Sequence, residues 1–332
     1  MPLSPFAPLW SAPLLALLTS ALILCLLLGP ARARLPLDRP NERSLHHRPV
    51  PRTGGLAVVA GILAAAGAVM PSSLVLVGGT ALLAATSFID DWRGLPIALR
   101  FAIHTLVASA FVALALVDWP LPWQAASAFM IVWSMNLYNF MDGSDGLAGG
   151  MAVIGFTAYA AGFFLARDFE SAALAASTAA AALVFLMFNF NPARIFLGDA
   201  GSIPLGFLAG ALGAAGIHAG HWPLWFPFVV FAPFFVDATI TLLRRMMRGE
   251  KFWHAHREHY YQRLVRLGWG HRRTALVEYA LMAVSAAVAL SALAQPHFEQ
   301  LFLLAVWAAI VSMAMLVLDR AWQRAQVAAR SD

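Results

Sequence analysis

Charge is scarce in this 332-residue chain: 12% of its residues are Asp, Glu, Lys or Arg, where soluble globular chains carry about a quarter. Lysine is nearly absent, with Lys251 the single one among 22 basic residues, and Cys25 is the one cysteine. A lone cysteine excludes an intrachain disulfide framework. What fills the space is apolar: 61% of the residues are hydrophobic and the mean hydropathy is +0.72. Such a composition excludes disordered and collagen-like chains. It is also too apolar for a fully solvated surface, so the excess must face lipid or line long buried helices.

Stretches long enough to cross a hydrocarbon core as helices fall near 10–29, 54–70, 72–89, 97–117, 122–140, 147–166, 171–188, 203–217, 224–243, 274–294 and 300–318. They predict an all-α, polytopic membrane bundle of about eleven spans, with ten admitted because some neighbours adjoin. With eleven, every Arg and Lys except Arg167 lies in the loops on one side or, for Arg100, in the first turn of a span that starts on that side. Positive residues stay cytoplasmic, which puts the N-terminus outside and the C-terminus, with Arg320, Arg324 and Arg330, inside. A cleaved signal peptide is disfavoured, because Met1 to Trp10 has no basic residue and the Arg cluster follows the span. A lipoprotein reading of Cys25 is disfavoured by Leu24 before it. The chain reads as one transmembrane domain over 1–332, with cytoplasmic loops near 30–53, 90–96, 141–147, 189–202 and 244–273. Alanine-rich runs such as Ala172 to Ala182 predict close helix approach.

The acids are the informative minority. Asp90, Asp91, Asp142, Asp145 and Asp199 come from three separate loops that the topology puts on one face. Carboxylates converging this way need a cation or a proton to offset their repulsion. Hard oxygen ligands suit Mg²⁺, or Mn²⁺, with substrate phosphates completing the shell. Solvation of helix ends explains an isolated Asp equally well, but three clusters on one face less so. Asn136, Asn139, Asp142 and Asp145 lie around two Asp-Gly turns, whose glycines let backbone N–H groups approach a ligand. Around Asp199, the side chains of Asn189, Asn191, Arg194 and Phe196 are a set able to stack a base, donate to phosphate and hold a metal.

The loop from Asp38 to Gly55 carries Asn41, Arg43, His46 and Arg48 between prolines, and its guanidinium forks match phosphate oxygens. Membrane anchoring and function weigh equally for Arg32 and Arg34; for Arg43 and Arg48 function is favoured. In the long loop after Arg244, His254, His256 and His259 surround Arg257 with no cysteine, so an anion site is favoured over zinc. An interfacial helix with Trp253, Tyr260 and Tyr261 at headgroup level is compatible with that. Asp237 lies within a span, about 10 Å below its cytoplasmic end, and is expected to pair with a buried Arg or to shape the lower wall of the site. Glu278 is read as structural.

Four ordered blocks carry a family likeness: Asp38-x-Pro-Asn41-x-Arg43 to Gly54-Gly55; Asp90-Asp91; Asn136-x-x-Asn139-x-x-Asp142-Gly-x-Asp145-Gly; and Asn189 to Gly198-Asp199-x-Gly-Ser202. From Asp38 to Arg273 the chain resembles the polyprenyl-phosphate N-acetylhexosamine-1-phosphate transferases, which include the phospho-N-acetylmuramoyl-pentapeptide transferases. The resemblance implies a multi-pass enzyme of the bacterial inner membrane with ten or eleven spans and its active site inside. It implies transfer of N-acetylhexosamine-1-phosphate from UDP-N-acetylhexosamine to polyprenyl phosphate, releasing UMP. No nucleic-acid partner is expected, and a homodimer is admitted. By this likeness Asp199, with Asp91, holds Mg²⁺, and Asp90 or Asp91 orients or deprotonates the lipid phosphate. Asp142 supports the phosphate site, Asn189, Asp145 and Phe196 lie near uridine, and Gly54 and Gly55 let the first loop approach the nucleotide.

The family's closely spaced His-x-His-His is replaced here by His259-Tyr260-Tyr261-Gln262, with His256 nearby to compensate, so either histidine is a candidate for the diphosphate. Ser44 and Val50 to Thr53 also depart from the usual pattern and bring the chain closer to the O-antigen-initiating subgroup. Direct in-line attack of the lipid phosphate is favoured over a covalent aspartyl intermediate. Two other classes remain in view. An integral prenyltransferase also uses Asp-rich loops but has no need of the Arg-His loop or Phe196. A cation-coupled transporter calls for acids at mid-bilayer, where only Asp237 comes near.

Overall fold

In the computed structural model residues 7–30, 35–38, 40, 45, 49–69, 74–251 and 256–331 are described. The expected Asn41, Arg43, His46, Arg48 and His254 lie outside them. The helices run α1 Ala7–Leu28, α2 Gly54–Val69, α3 Leu74–Arg93, α4 Ile97–Ala115, α5 Leu121–Met141, α6 Leu147–Leu165 and α7 Phe169–Asn189. They continue as α8 Asp199–His218, α9 Trp225–Val230, α10 Ala232–Met247, α11 Tyr260–Leu264, α12 Gly270–Leu293 and α13 His297–Ser331. Two short strands, β1 Leu37–Asp38 and β2 Val50–Pro51, pair antiparallel. The protein is a polytopic helical membrane protein: among the described residues, eight helices are long and apolar enough to cross a bilayer.

The remaining expected spans take other forms. Helix α2 is short at 16 residues, α5 is long but carries more polar groups, and the stretch near 224–243 is two helices. The break falls at Phe231, between Pro227 and Pro233. Proline lacks an N–H and crowds the carbonyl four residues back, so two in one apolar stretch interrupt the ladder. Helix α13 runs well past its apolar stretch, to 35 residues.

Small side chains set the closest packing. Ala172, Ala173, Ala175, Ala179, Ala181 and Ala182 of α7 are buried, and Ser20 of α1 donates to the Ala181 carbonyl at 3.2 Å. Helices in lipid gain nothing from hiding apolar surface from water, so close backbone approach supplies the attraction. On one end of the bundle this packing gathers the ends of α3, α5 and α7 and the starts of α2, α6 and α8.

Candidate active site

The three acidic loops meet. Asp199 opens α8, Asp90 and Asp91 close α3, and Asp142 caps α5. Arg100 of α4 joins the first two: its Nη1 is 2.6 Å from Asp90 Oδ2 and 3.8 Å from Asp199 Oδ2. Asp90 Oδ1 also takes the Leu95 N–H at 2.6 Å, which fixes the α3–α4 turn. The Asp142 carboxylate feels the charges of Asp199, Asp91 and Asp38. Desolvation, and after it Asp199, pushes the pKa of Asp142 well above the carboxylate range, against the opposing influence of the Gly198 backbone N–H.

The first loop is sewn into this cluster through its ends. Pairing of β1 with β2 sets Asp38 opposite Val50, and Phe196 donates its N–H to Pro51 O at 2.7 Å. Arg52 Nη2 donates to Asp91 O at 2.7 Å, and Nη1 lies 3.4 Å from Asp91 Oδ1. Gly54 and Gly55, expected near the nucleotide, donate their N–H groups to Phe196 O and Leu197 O at 2.9 and 2.8 Å. A Cβ on Gly55 would stand 2.3 Å from Gly201 N. These glycines join α2 to the start of α8.

The residues expected around a base form a second layer. Buried Asn189 spends both ends of its amide on the chain, accepting from Gly146 N at 2.9 Å and donating to Ile195 O at 2.9 Å. Asp145 takes Asn191 Nδ2 at 2.8 Å and Ala193 N at 3.1 Å. Together they clamp the 190–198 loop against the start of α6. Asn139 donates to Ser202 Oγ at 3.2 Å, linking α5 to α8. Phe196 is partly exposed and Arg194 exposed, the latter 5.5 Å over the Phe188 ring.

The histidine segment packs against the Asp142 loop. Tyr261 donates its hydroxyl to Phe140 O at 3.1 Å, and the Phe140 and His259 rings stack at 6.2 Å. His259 is buried, with Nδ1 3.2 Å from Asp237 Oδ1, and the His256 ring lies 4.8 Å from it. Of the two expectations for Asp237, pairing with a buried arginine is not met. Asp237 takes the N–H groups of Tyr260 at 2.9 Å and Tyr261 at 3.1 Å, with Thr241 Oγ1 at 3.2 Å and the His259 ring. A carboxylate at a helix start satisfies N–H groups that have no partner within the helix.

Known proteins share this arrangement of sequence. The chain is 28% identical over 319 residues to a probable undecaprenyl-phosphate N-acetylglucosaminyl 1-phosphate transferase of Bacillus subtilis, covering 88% of this chain and 89% of that one. It is 32% identical over 326 residues to a decaprenyl-phosphate N-acetylglucosaminephosphotransferase of Mycobacterium tuberculosis, covering 81% of this chain and 80% of that one. The chain belongs to the polyprenyl-phosphate N-acetylhexosamine-1-phosphate transferase family. The family model described as glycosyl transferase family 4 matches residues 73–217 of this transferase. A phospho-N-acetylmuramoyl-pentapeptide-transferase of Microcystis aeruginosa is 40% identical over 113 residues, 34% of this chain and 30% of that one.

The packed cluster also brings in Arg100, Ser144 and His271, which the motifs do not include. Arg100 carried a signal, since a charge in an otherwise apolar helix is costly without a partner. Ser144 and His271 did not: Ser144 Oγ lies 2.8 Å from His271 Nδ1, while His271 Nε2 lies 3.1 Å from Leu45 O. As to a metal, Asp91 is nearly buried at 6% and its Oδ2 has no hydrogen-bond partner among the described residues, while Asp199 is 36% exposed. Among the described residues no three His, Cys, Asp or Glu side chains stand ready around one point. Such a donor set fits a hard cation held by one or two carboxylates, with substrate oxygens completing its shell.

Proposed function

We propose that this transferase moves N-acetylhexosamine-1-phosphate from a UDP-sugar onto polyprenyl phosphate, releasing UMP, at the cytoplasmic face of a bacterial inner membrane. The observation that carries the reading is the meeting of Asp90, Asp91, Asp142 and Asp199 with Arg52 and Arg100 at one end of the bundle. Phosphate groups bring the negative charge that guanidiniums pair with, and acids in such numbers imply a cation between them and a diphosphate. Likeness over 81–88% of the chain to N-acetylglucosaminyl-phosphate transferases, against 34% and 46% for two pentapeptide transferases, favours a simple N-acetylated sugar as the donor. That suits the first step of an envelope polysaccharide such as O antigen.

A phosphate monoester has its second pKa near 6, so the lipid phosphate is largely dianionic at neutral pH and needs no strong base. Its oxygen attacks the β-phosphorus in line, the bond from that phosphorus to the α-phosphate's bridging oxygen breaks, and UMP leaves. The sugar C1–O bond is untouched, so the anomeric configuration is kept. Arg52 and Arg100 offset charge beside Asp91, Asp90 and Asp199, and His256 or His259 hydrogen-bonds the diphosphate. Mg²⁺ held by Asp199 and Asp91 would supply the charge that lets two anionic substrates come together.

Away from the acid cluster, by the start of α5 and the end of α8, the bundle also holds apolar space. An apolar cavity of about 520 Å³ lies between α5, α8 and the α9–α10 break, lined by Trp119, Trp123, Ile131, Gly210, Phe231 and Phe235 among others. The test is to incubate the purified protein with UDP-N-acetylglucosamine, polyprenyl phosphate and Mg²⁺. UMP formed in step with a lipid-linked diphosphate sugar is expected. Inorganic diphosphate released from an added prenyl diphosphate, with no UMP from the UDP-sugar, would point to a prenyltransferase, and no turnover over a panel of UDP-N-acetyl sugars would overturn the reading.

A further inference from the structure

Asp319 lies in α13, beyond both the stretch that carries the family likeness and the 73–217 match. It is the first ionisable residue after Glu299 in that helix. Its carboxylate is 15% exposed and takes three donors: Arg244 Nη1 at 2.8 Å, Arg263 Nη1 at 2.8 Å and Tyr260 Oη at 3.1 Å. Both guanidiniums also lie over the Tyr260 ring, 5.6 and 4.8 Å from its centroid. Arg263 turns its Nε to Glu258 O at 2.8 Å. One carboxylate on the last helix thus ties together the end of α10, the whole of α11 and the chain entering it.

The opposite flank of α11 is held by Asp237, which takes the Tyr260 and Tyr261 N–H groups and the His259 ring. Tyr261 then reaches Phe140 O, two residues from Asp142. His259 is therefore placed against the acid cluster by two carboxylates on two different helices. Removing a charge with two arginine partners from water is costly and adds little to net stability. What such a node supplies is a fixed geometry.

We propose that Asp319 is a positioning residue of the transfer reaction, holding the His256–His259 segment in register with the acid cluster. This rests on the reading that the segment meets the donor diphosphate. Positioning errors far from the reacting atoms cost up to about a hundredfold in rate. Asp319→Asn, which keeps the shape and loses the charge, should lower kcat about tenfold or more and raise the KM for the UDP-sugar. The KM for polyprenyl phosphate should stay as it is, the Tm should fall because Arg263 is left buried without its counter-charge, and Asp319→Glu should recover part of the loss in kcat. Hydrogen exchange at the Tyr260 and Tyr261 amides should quicken in Asp319→Asn. A lower Tm with unchanged kinetics, or wild-type kinetics and wild-type exchange, would overturn the proposal. If the wild-type protein releases no UMP at all, the donor reading fails; the exchange measurement then still decides whether Asp319 places the segment.

Discussion

The backbone N–H of Gly198, the residue immediately before Asp199, favours the charged form of the Asp142 carboxylate. Gly198 holds this place between the second and third acidic loops in the left-handed region at φ +71°. A side chain there is strained by the backbone, and a Cβ would stand 2.3 Å from Arg52 O and 3.4 Å from Asp91 Oδ2.

Gly198→Ala should therefore lower UMP release by about a hundredfold while the protein still purifies as a folded membrane protein. Activity within a few-fold of wild type would show that this junction does not set the site.

Gly55 is expected to act on the fold. Its Cβ would meet the Gly201 backbone, 2.3 Å from N and 2.4 Å from Cα, whereas Gly67 of the same helix has nothing within 4 Å. Gly55→Ala should destabilise by about 1–3 kcal/mol or more, and Gly67→Ala should be neutral or slightly stabilising. Thermal unfolding in detergent checks both. An unchanged Tm for Gly55→Ala with a raised donor KM would instead support nucleotide contact.

His271 bridges the first loop and the Asp142 loop. A carbonyl can only accept, so Nε2 carries the proton toward Leu45 O, and Nδ1 accepts from Ser144 Oγ. Glutamine offers one donor and one acceptor in similar reach. His271→Gln should keep much of the activity, and His271→Ala should lose about tenfold or more. Equal losses in steady-state assays would remove the bridge from the account.

His256 has its pKa lowered to about 4, first by desolvation and then by His259 and Arg245. Unfolded, it titrates near 6.5. Between those values the unfolded chain takes up a proton that the folded one refuses, so stability is full above about 6.5 and falls with pH down to about 4. The drop in Tm from about pH 7.5 to about pH 5 should be larger for the wild type than for His256→Asn. Identical drops would mean that His256 is charged in the folded protein.

Hydropathy made most of the helices legible, since a bilayer imposes length and composition on each span separately. The broken α9–α10 stretch was written in Pro227 and Pro233, yet it also reads as one apolar run. Spacing placed Asp90, Asp91, Asp142 and Asp199 on one face because each sits at a span end. It could not say that Asn189 and Asp145 spend their polar atoms on the 190–198 loop, or that Asp237 caps α11. Those partners lie 6 to 48 residues away along the chain and meet only in the packed bundle.

The central claim is that carboxylates of separate loops share one divalent cation with the donor diphosphate. Electron paramagnetic resonance of Mn²⁺ titrated into the purified protein, with and without UDP-N-acetylglucosamine, reads this directly. The account predicts a bound ion whose affinity rises with the nucleotide sugar and is lost in Asp199→Asn. Binding that is unchanged in that variant, or no bound ion with the nucleotide sugar present, would contradict it.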